Sequence, residues 1–507
     1  MAPPASSRRP RRPAPELLFG DLWPYDPAPE TADPRIRPEY DLFIGGRFVP
    51  AADGTRFTSI NPATERPLTE LARGGPADVD AACRAAAAAF PRWSRLPGAE
   101  RGKYLFRLAR LLQDRAREFA VAETMDNGKP IRETRDFDVP MAAAHFFYHA
   151  GWADKLAYLA PGRTVAPLGV VGQVIPWNFP LLMLAWKIAP ALAAGNCVVL
   201  KPASNTPLTA VKLAELLQEA ELPPGVVNIV TGPGATGAHL LAHPLVRKVA
   251  FTGSTEVGKV ILRSVAGAGK RLTMELGGKA ANIVFADAPL DQAVEGIVNG
   301  IFFNQGQVCC AGSRLLVQES VAERVVAQLR RRLQVLRVGD PLDKNTDLGA
   351  IVSREQRDVI RGYLRAGVAE GAELWQAPFR APARGFYVAP AVFTGVTQSH
   401  RIAREEIFGP VLSVLTFRTV EEAVEKANNT PYGLSAGVWT DKGSLILRLA
   451  TELRAGVVWA NTFNKFDPSS PFGGYKESGT GRELGSYGLH QYSAVKTVAI
   501  KVSSKNS

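Results

Sequence analysis

The chain has few cysteines and none at metal-ligand spacing. Its 507 residues include only Cys83, Cys197, Cys309 and Cys310. No CxxC pair or Cys/His ligand pattern occurs, so a zinc site is not expected and no metal is assigned. Cys309 and Cys310 are adjacent, unlike a structural disulfide pair, and so few thiols in a long chain suit a reducing cytoplasm. Long apolar runs are lacking as well. The most apolar stretch, Leu181 to Leu200, is interrupted by Lys187, Pro190, Gly195 and Asn196. It reads as a buried helix running into a strand, and no membrane partner is expected. The N-terminus has no apolar signal core. It is Arg-rich, but its prolines oppose the amphipathic helix of a transit peptide. Nucleic-acid motifs are also missing. The net charge of +12 raises that class, yet the basic clusters are few: Arg8, Arg9, Arg11 and Arg12, then Arg330, Arg331 and Arg332. They read as a solvated tail and a solvated helix face, so no nucleic-acid partner is expected. A positive field still helps to gather an anionic cofactor.

What is present is strand–helix alternation, in a chain too long for one core. Residues 1–38 are rich in Pro and Arg and read as a disordered or docked extension, in which Leu17 to Glu30 has enough aromatics to dock. Phe43-Ile44-Gly45-Gly46 predicts a hairpin turn. Ala77 to Thr124 alternates helical patterns with short breaks. Strands are expected at Gly169 to Ile175, Cys197 to Leu200, Val226 to Val230 and Lys248 to Phe251, with helices at Thr209 to Ala220 and Thr236 to Leu241. This alternation predicts a parallel α/β sheet, and a second alternating set runs from Asn282 to about Ala460. The tail, Tyr492 to Val502, suits an edge strand paired with another subunit. No internal repeat is seen.

Three short segments carry chemistry. Phe302 to Arg314 puts a thiol just after a polar, glycine-bearing turn. Glu275-Leu276-Gly277-Gly278-Lys279 offers a carboxylate before a glycine pair, and Pro176-Trp177-Asn178-Phe179-Pro180 a carboxamide between aromatics. Thiol, carboxylate and carboxamide can act as nucleophile, general base and oxyanion donor. Phe251 to Gly258 follows a strand and opens a helix, where glycine lets backbone amides approach a pyrophosphate. It departs from the GxGxxG pattern.

In these words and this order the chain resembles the aldehyde dehydrogenase superfamily, from about Tyr40 to the C-terminus. Leu17 to Glu30 loosely resembles the opening of its family-16 branch. The resemblance implies an α/β fold with a Rossmann-like cofactor domain, a second α/β catalytic domain and a small bridging β-sheet for oligomerisation. The implied division is 39–145 and 165–276 for the cofactor domain, 277–480 for the catalytic domain, and 146–164 and 488–502 for the bridging segments. The implied partner is a small aldehyde, and the implied assembly a homodimer or homotetramer.

The same resemblance implies residue roles. The word Gly306-Gln307-Val308-Cys309-Cys310-Ala311 selects Cys309 as nucleophile over Cys310. Glu275 is the base, and Asn178 with the Cys309 amide forms the oxyanion site. Pro176, Trp177, Lys201, Ser204, Gly253, Ser254, Glu406 and Phe408 bind NAD. Ser204 stands where NAD-preferring members often carry Glu, which leaves room for NADP. Phe179, Met183, Trp186, Phe303, Phe466 and Phe472 line the aldehyde tunnel, and Lys187 and Glu483 match positions linked to a proton relay. The implied reaction is oxidation of an aldehyde to an acid through a thiohemiacetal and a thioester. Two other classes are weighed: a non-catalytic scaffold, which loss of Cys309 or Glu275 would signal, and a nucleic-acid-binding moonlighter, suggested by charge alone.

Overall fold

A computed structural model describes residues 27–161 and 163–501. Two mixed sheets dominate it. The first contains, in chain order, β1 (Leu42–Ile44), β2 (Arg47–Val49), β3 (Val170–Val174), β4 (Cys197–Lys201), β5 (Val227–Ile229), β6 (Val246–Thr252) and β7 (Arg271–Glu275). The second contains β8 (Ala281–Val284), β9 (Arg314–Gln318), β10 (Glu373–Gln376), β11 (Ala391–Thr394), β12 (Val411–Phe417), β13 (Ser435–Trp439) and β14 (Val457–Ala460). A two-residue strand, β15 (Gly479–Thr480), returns to the first sheet. The strand orders are β15-β7-β6-β3-β4-β5-β1-β2 and β10-β11-β12-β9-β8-β13-β14.

The central pairs of the first sheet are parallel and in a register that levels their carboxyl ends. Val174 lies opposite Lys201 and Phe251, and Thr252 opposite Glu275. Helices separate these strands in sequence, so the crossover connections force parallel pairing. β4 and β5 are buried throughout, as expected where helices cover both faces. In open parallel sheets ligands sit beyond the carboxyl ends of the strands. Here that edge carries Lys201, Thr252 and Glu275.

Each strand and helix expected above in the first half is present within one or two residues, including the hairpin, whose Gly45 and Gly46 have φ of 62° and 83°. Of the N-terminal extension, 1–26 lie outside the described residues, including most of the Leu17 to Glu30 piece. Residues 27–38 run along the body. Glu30 is tied at both ends of its backbone and side chain: its N–H donates to the Leu342 carbonyl at 2.7 Å, and Arg117 donates to its carboxylate at 2.9 Å. The expected tail strand is Ser493–Lys496, and it pairs antiparallel with Thr164–Pro167 of its own chain. That partner strand starts at the boundary drawn at residue 164, so most of it falls on the cofactor-domain side. No helix among the described residues is long and apolar enough to cross a membrane.

Candidate active site

One cavity of about 480 Å³ opens beyond the carboxyl ends of the first sheet and reaches the second. Asn178, Glu275 and Cys309 all line it. Asn178 follows β3 and precedes helix α1 (Pro180–Ala193). Glu275 ends β7. Cys309 follows helix α2 (Leu290–Phe302) and a tight turn in which Asn304, Gln305 and Gly306 have φ of 48°, 53° and 73°. Three successive left-handed residues reverse the chain at once, and two of them are not glycine, a conformation that costs energy and clusters at functional sites.

The carboxamide of Asn178 is oriented by its neighbours. Its Nδ2 donates one hydrogen to the Gln307 carbonyl at 2.9 Å, and Asn304 Nδ2 donates to the Asn178 carbonyl at 2.8 Å. A carboxamide nitrogen has two hydrogens, so one remains for a ligand. Glu275 is 3 % exposed, and neither of its oxygens has a hydrogen-bond partner. Burial, then the nearby Glu483 carboxylate, hold its pKa well above the carboxylate range. Lys187 and Glu483 form a buried ion pair. The Cys309 thiol is also held well above its ordinary pKa, first by a hydrogen bond with the Cys310 side chain and then by burial. Both shifts disfavour the charged form of the group.

Packing behind the thiol is tight. A Cβ built on Gly278 would lie 2.1 Å from the Cys309 carbonyl oxygen. Backbone cannot yield as a flexible side chain can, and such overpacking costs about 1–3 kcal/mol. Gly278→Ala is therefore expected to displace Cys309 and lower turnover by about tenfold or more. Steady-state rates and alkylation of Cys309 by iodoacetamide check this; wild-type values in both would contradict the close packing.

The cofactor-side residues separate into two groups. Pro176, Trp177, Gly253, Ser254, Glu406 and Phe408 line the cavity. Ser254 is the N-cap of helix α3 (Thr255–Val265), its hydroxyl accepting from Val257 N at 3.3 Å. The helix N-terminus thus faces the cavity, where its dipole favours an anion. A Cβ on Gly277 would fall 2.5 Å from Glu406 Oε2, so glycine keeps that carboxylate's berth open. Glu406 accepts from Gly278 N at 2.9 Å, and burial pushes its pKa up to about 7. Phe408 has φ of 57° and meets Trp177 edge-on at 5.1 Å. Gln356 donates to the Phe408 carbonyl at 3.0 Å and holds that turn. Lys201 and Ser204 are not among the cavity's walls. They lie at and just beyond the end of β4, and burial pushes Lys201 down to about 8.

On the other side, Phe179, Met183, Trp186, Phe466 and Phe472 form an aromatic wall. Phe303 is not part of it. Its ring packs behind, stacked on Phe179 at 6.1 Å and edge-on to Phe137 at 5.4 Å. Phe137 takes the wall position instead. It sits in a π-helical turn, Thr134–Asp138, whose extra residue re-aims side chains in a way that no periodic pattern signals. The sequence also gives no sign of Gln356, in the first turn of the helix Arg354–Ala369, or of Tyr432, in the two-residue strand Tyr432–Gly433, both brought in from remote parts of the chain. Cys310 is buried, with Sγ 3.9 Å from Asn464 Oδ1.

Comparison with known proteins places this geometry. The model of the aldehyde dehydrogenase family matches residues 48–498. The mitochondrial aldehyde dehydrogenase of Rattus norvegicus is 46% identical over 494 residues, covering 94% of each chain. Retinal dehydrogenase 2 of Homo sapiens is 44% identical over 483 residues, covering 92% of each. Among solved structures, the NAD+ complex of an aldehyde dehydrogenase from Bacillus cereus superposes with a TM-score of 0.87 at 43% identity, covering 90% of this chain and 96% of the other.

Proposed function

The chain belongs to the aldehyde dehydrogenase family, and from that premise we propose how its own residues oxidise an aldehyde to a carboxylic acid with NAD. The observation that carries the reading is a single cavity lined both by Cys309, Glu275 and Asn178 and by the strand-end residues of the cofactor side. A helix N-terminus for a pyrophosphate, a buried carboxylate at Glu406 for ribose hydroxyls and a glycine-lined gap between them fit a dinucleotide. Lys201 and Ser204 take the adenine ribose.

The Cys309 thiolate adds to the aldehyde carbon. The developing oxyanion takes the free Asn178 Nδ2 hydrogen and the Cys309 amide, donors fixed before the reaction begins. Held by Ser254 and Glu406, NAD would supply positive charge and a hydride acceptor. The product on Cys309 is a thioester. Glu275 then removes a proton from water as it attacks the acyl carbon, and the acid departs as Cys309 returns to thiolate. Lys187 and Glu483 carry the proton away from Glu275. The aromatic wall suits medium aliphatic or aromatic aldehydes. A panel of aldehydes with NAD and NADP, read by the rise in reduced-cofactor absorbance, tests the reading; no turnover with any aldehyde would leave the scaffold alternative.

Residues 39–145 and 165–276 are assigned to cofactor binding and 277–480 to catalysis. The small two-stranded sheet and α3, whose Val257 and Val260 are exposed, support a reading of self-association as a homodimer or homotetramer. A cytoplasmic setting keeps the Cys309 thiol reduced.

Ser204→Glu is expected to sharpen preference for NAD over NADP. A carboxylate there would bind ribose hydroxyls and repel a 2′-phosphate. Like charges in a partly buried site cost on the order of 1–3 kcal/mol, roughly tenfold to a hundredfold in affinity. Dissociation constants for both cofactors decide it. An unchanged ratio would remove Ser204 from the ribose site.

A further inference from the structure

The segment 123–138 buries four carboxylates, and three of them, Glu123, Glu133 and Asp138, surround the buried cation Lys129, while the fourth, Asp126, points elsewhere. Burying carboxylates is costly unless each is hydrogen-bonded, and such groups seldom add stability for their own sake. The bonds they make are specific. Asp126 accepts from Leu208 N at 2.8 Å and braces a neighbouring helix. The others grip the active-site loops. Glu123 accepts from Leu181 N at 3.1 Å, just past Asn178. Asn127 Nδ2 donates to the Trp177 carbonyl at 2.6 Å, just before it. Lys129, paired with Asp138, lies 3.9 Å from the centre of the Phe179 ring. Glu133 Oε2 accepts from Asn304 N at 3.0 Å.

That last bond falls on the first of the two non-glycine left-handed residues. Asn304 also ties both reacting loops together: its Nδ2 donates to the Asn178 carbonyl at 2.8 Å and to the Gln307 carbonyl at 3.3 Å. Gln307 in turn receives the Asn178 carboxamide and precedes Cys309 by two residues. The strained turn therefore sets the distance between nucleophile and oxyanion donor, and Glu133 is the acceptor that holds its first N–H.

We infer that Glu133 is a positioning residue of this dehydrogenase, acting through Asn304 to keep Cys309 and Asn178 in register. The inference rests on the roles proposed for those two residues. Burial pushes the Glu133 carboxyl up to about 8, so at neutral pH it serves as a neutral acceptor. A carboxamide of the same length can replace it, whereas a shorter carboxylate cannot reach.

The test uses Glu133→Gln and Glu133→Asp in the full chain. Aspartate withdraws the acceptor by about 1.5 Å. Displacements near 1 Å at reacting groups cost about a hundredfold, so the aspartate variant should lose about 10–100-fold in kcat. Its cofactor Kd should stay near wild type, and iodoacetamide should alkylate Cys309 correspondingly more slowly. Glutamine should recover most of the rate. An aspartate variant with wild-type kcat, or a glutamine variant as impaired as aspartate, overturns the inference. If alkylated Cys309 leaves turnover intact, the nucleophile assignment fails instead. Should the aspartate variant not fold, Asn304→Asp serves, since it exchanges the donor toward Asn178 and Gln307 for an acceptor. It should lose kcat with cofactor binding kept, and full activity there overturns the inference equally.

Discussion

Cys309→Ala is expected to abolish dehydrogenase turnover, while Cys310→Ala keeps most of it. The two thiols are neighbours, but the chain turns between them. Cys309 lines the cavity wall beside Asn178, on a turn held from behind by Gly278 and from the side by Gln307. Cys310 borders the same cavity, but it is buried against Asn464, and its carbonyl accepts from Ser435 Oγ at 3.0 Å, which ties it to β13. Losing a nucleophile that forms the covalent intermediate removes the pathway rather than slowing it, so the residual rate should be at background, several orders of magnitude below wild type. Replacing Cys310 deletes one buried sulfur and a hydrogen bond to the nucleophile. That bond is the largest contribution raising the Cys309 pKa, so Cys310→Ala should also shift thiolate formation to lower pH. Alkylation rate against pH measures this directly. Equal loss of turnover in the two variants, with folding intact, would sink the assignment.

Much of this was legible in the sequence because the local signals agree with the global arrangement. β-branched runs bounded by glycine gave the strands at Val170–Val174 and Val246–Thr252, and polar words marked Asn178, Glu275 and Cys309, which the fold gathers around one cavity. Other features were not legible, each for a physical reason. The stretch Glu123 to Asp138 is dense in charge, and charged residues default to the surface. Only the tertiary fold reveals that Glu123, Glu133 and Asp138 are buried around Lys129 and hold the active-site loops. The polar turn before Cys309 was legible, but the left-handed backbone of Gln305 was not, since a residue of that type rarely adopts it. Phe137, carried on a π-helical turn, stands in the wall, and Phe303 packs against it from outside the wall. Glu30 lies in a proline-rich stretch that reads as disordered or docked, and the contact that holds it is polar: against the cost of burial, Arg117 binds its carboxylate and lowers its pKa to about 2.

Glu275→Gln is expected to leave the first hydride transfer largely intact and to slow release of the acyl group. The trace should show a burst of reduced cofactor near one equivalent per active site, then slow turnover. The argument starts from the environment of Glu275. Both its oxygens are buried without a partner, and burial together with Glu483 holds its pKa well above the carboxylate range. A carboxyl so placed is a strong base once ionised, because the charged form has no compensating hydrogen bonds. It is therefore suited to the step that needs a base, attack of water on the thioester. General base catalysis of this kind contributes typically about 10²–10⁴-fold, and glutamine, isosteric but unable to take a proton, should lose about that much in the steady state. The sign of the pH dependence follows. A raised pKa means that the active, deprotonated form gains population at higher pH than an ordinary carboxylate would, so wild-type deacylation should show a limb that rises toward alkaline pH. The glutamine variant should lose that limb, leaving a residual slope from hydroxide alone. Rapid mixing separates the two phases. If single-turnover hydride transfer falls as far as steady-state turnover, Glu275 acts earlier, drawing the proton from Cys309, and the alkaline limb belongs to thiolate formation instead.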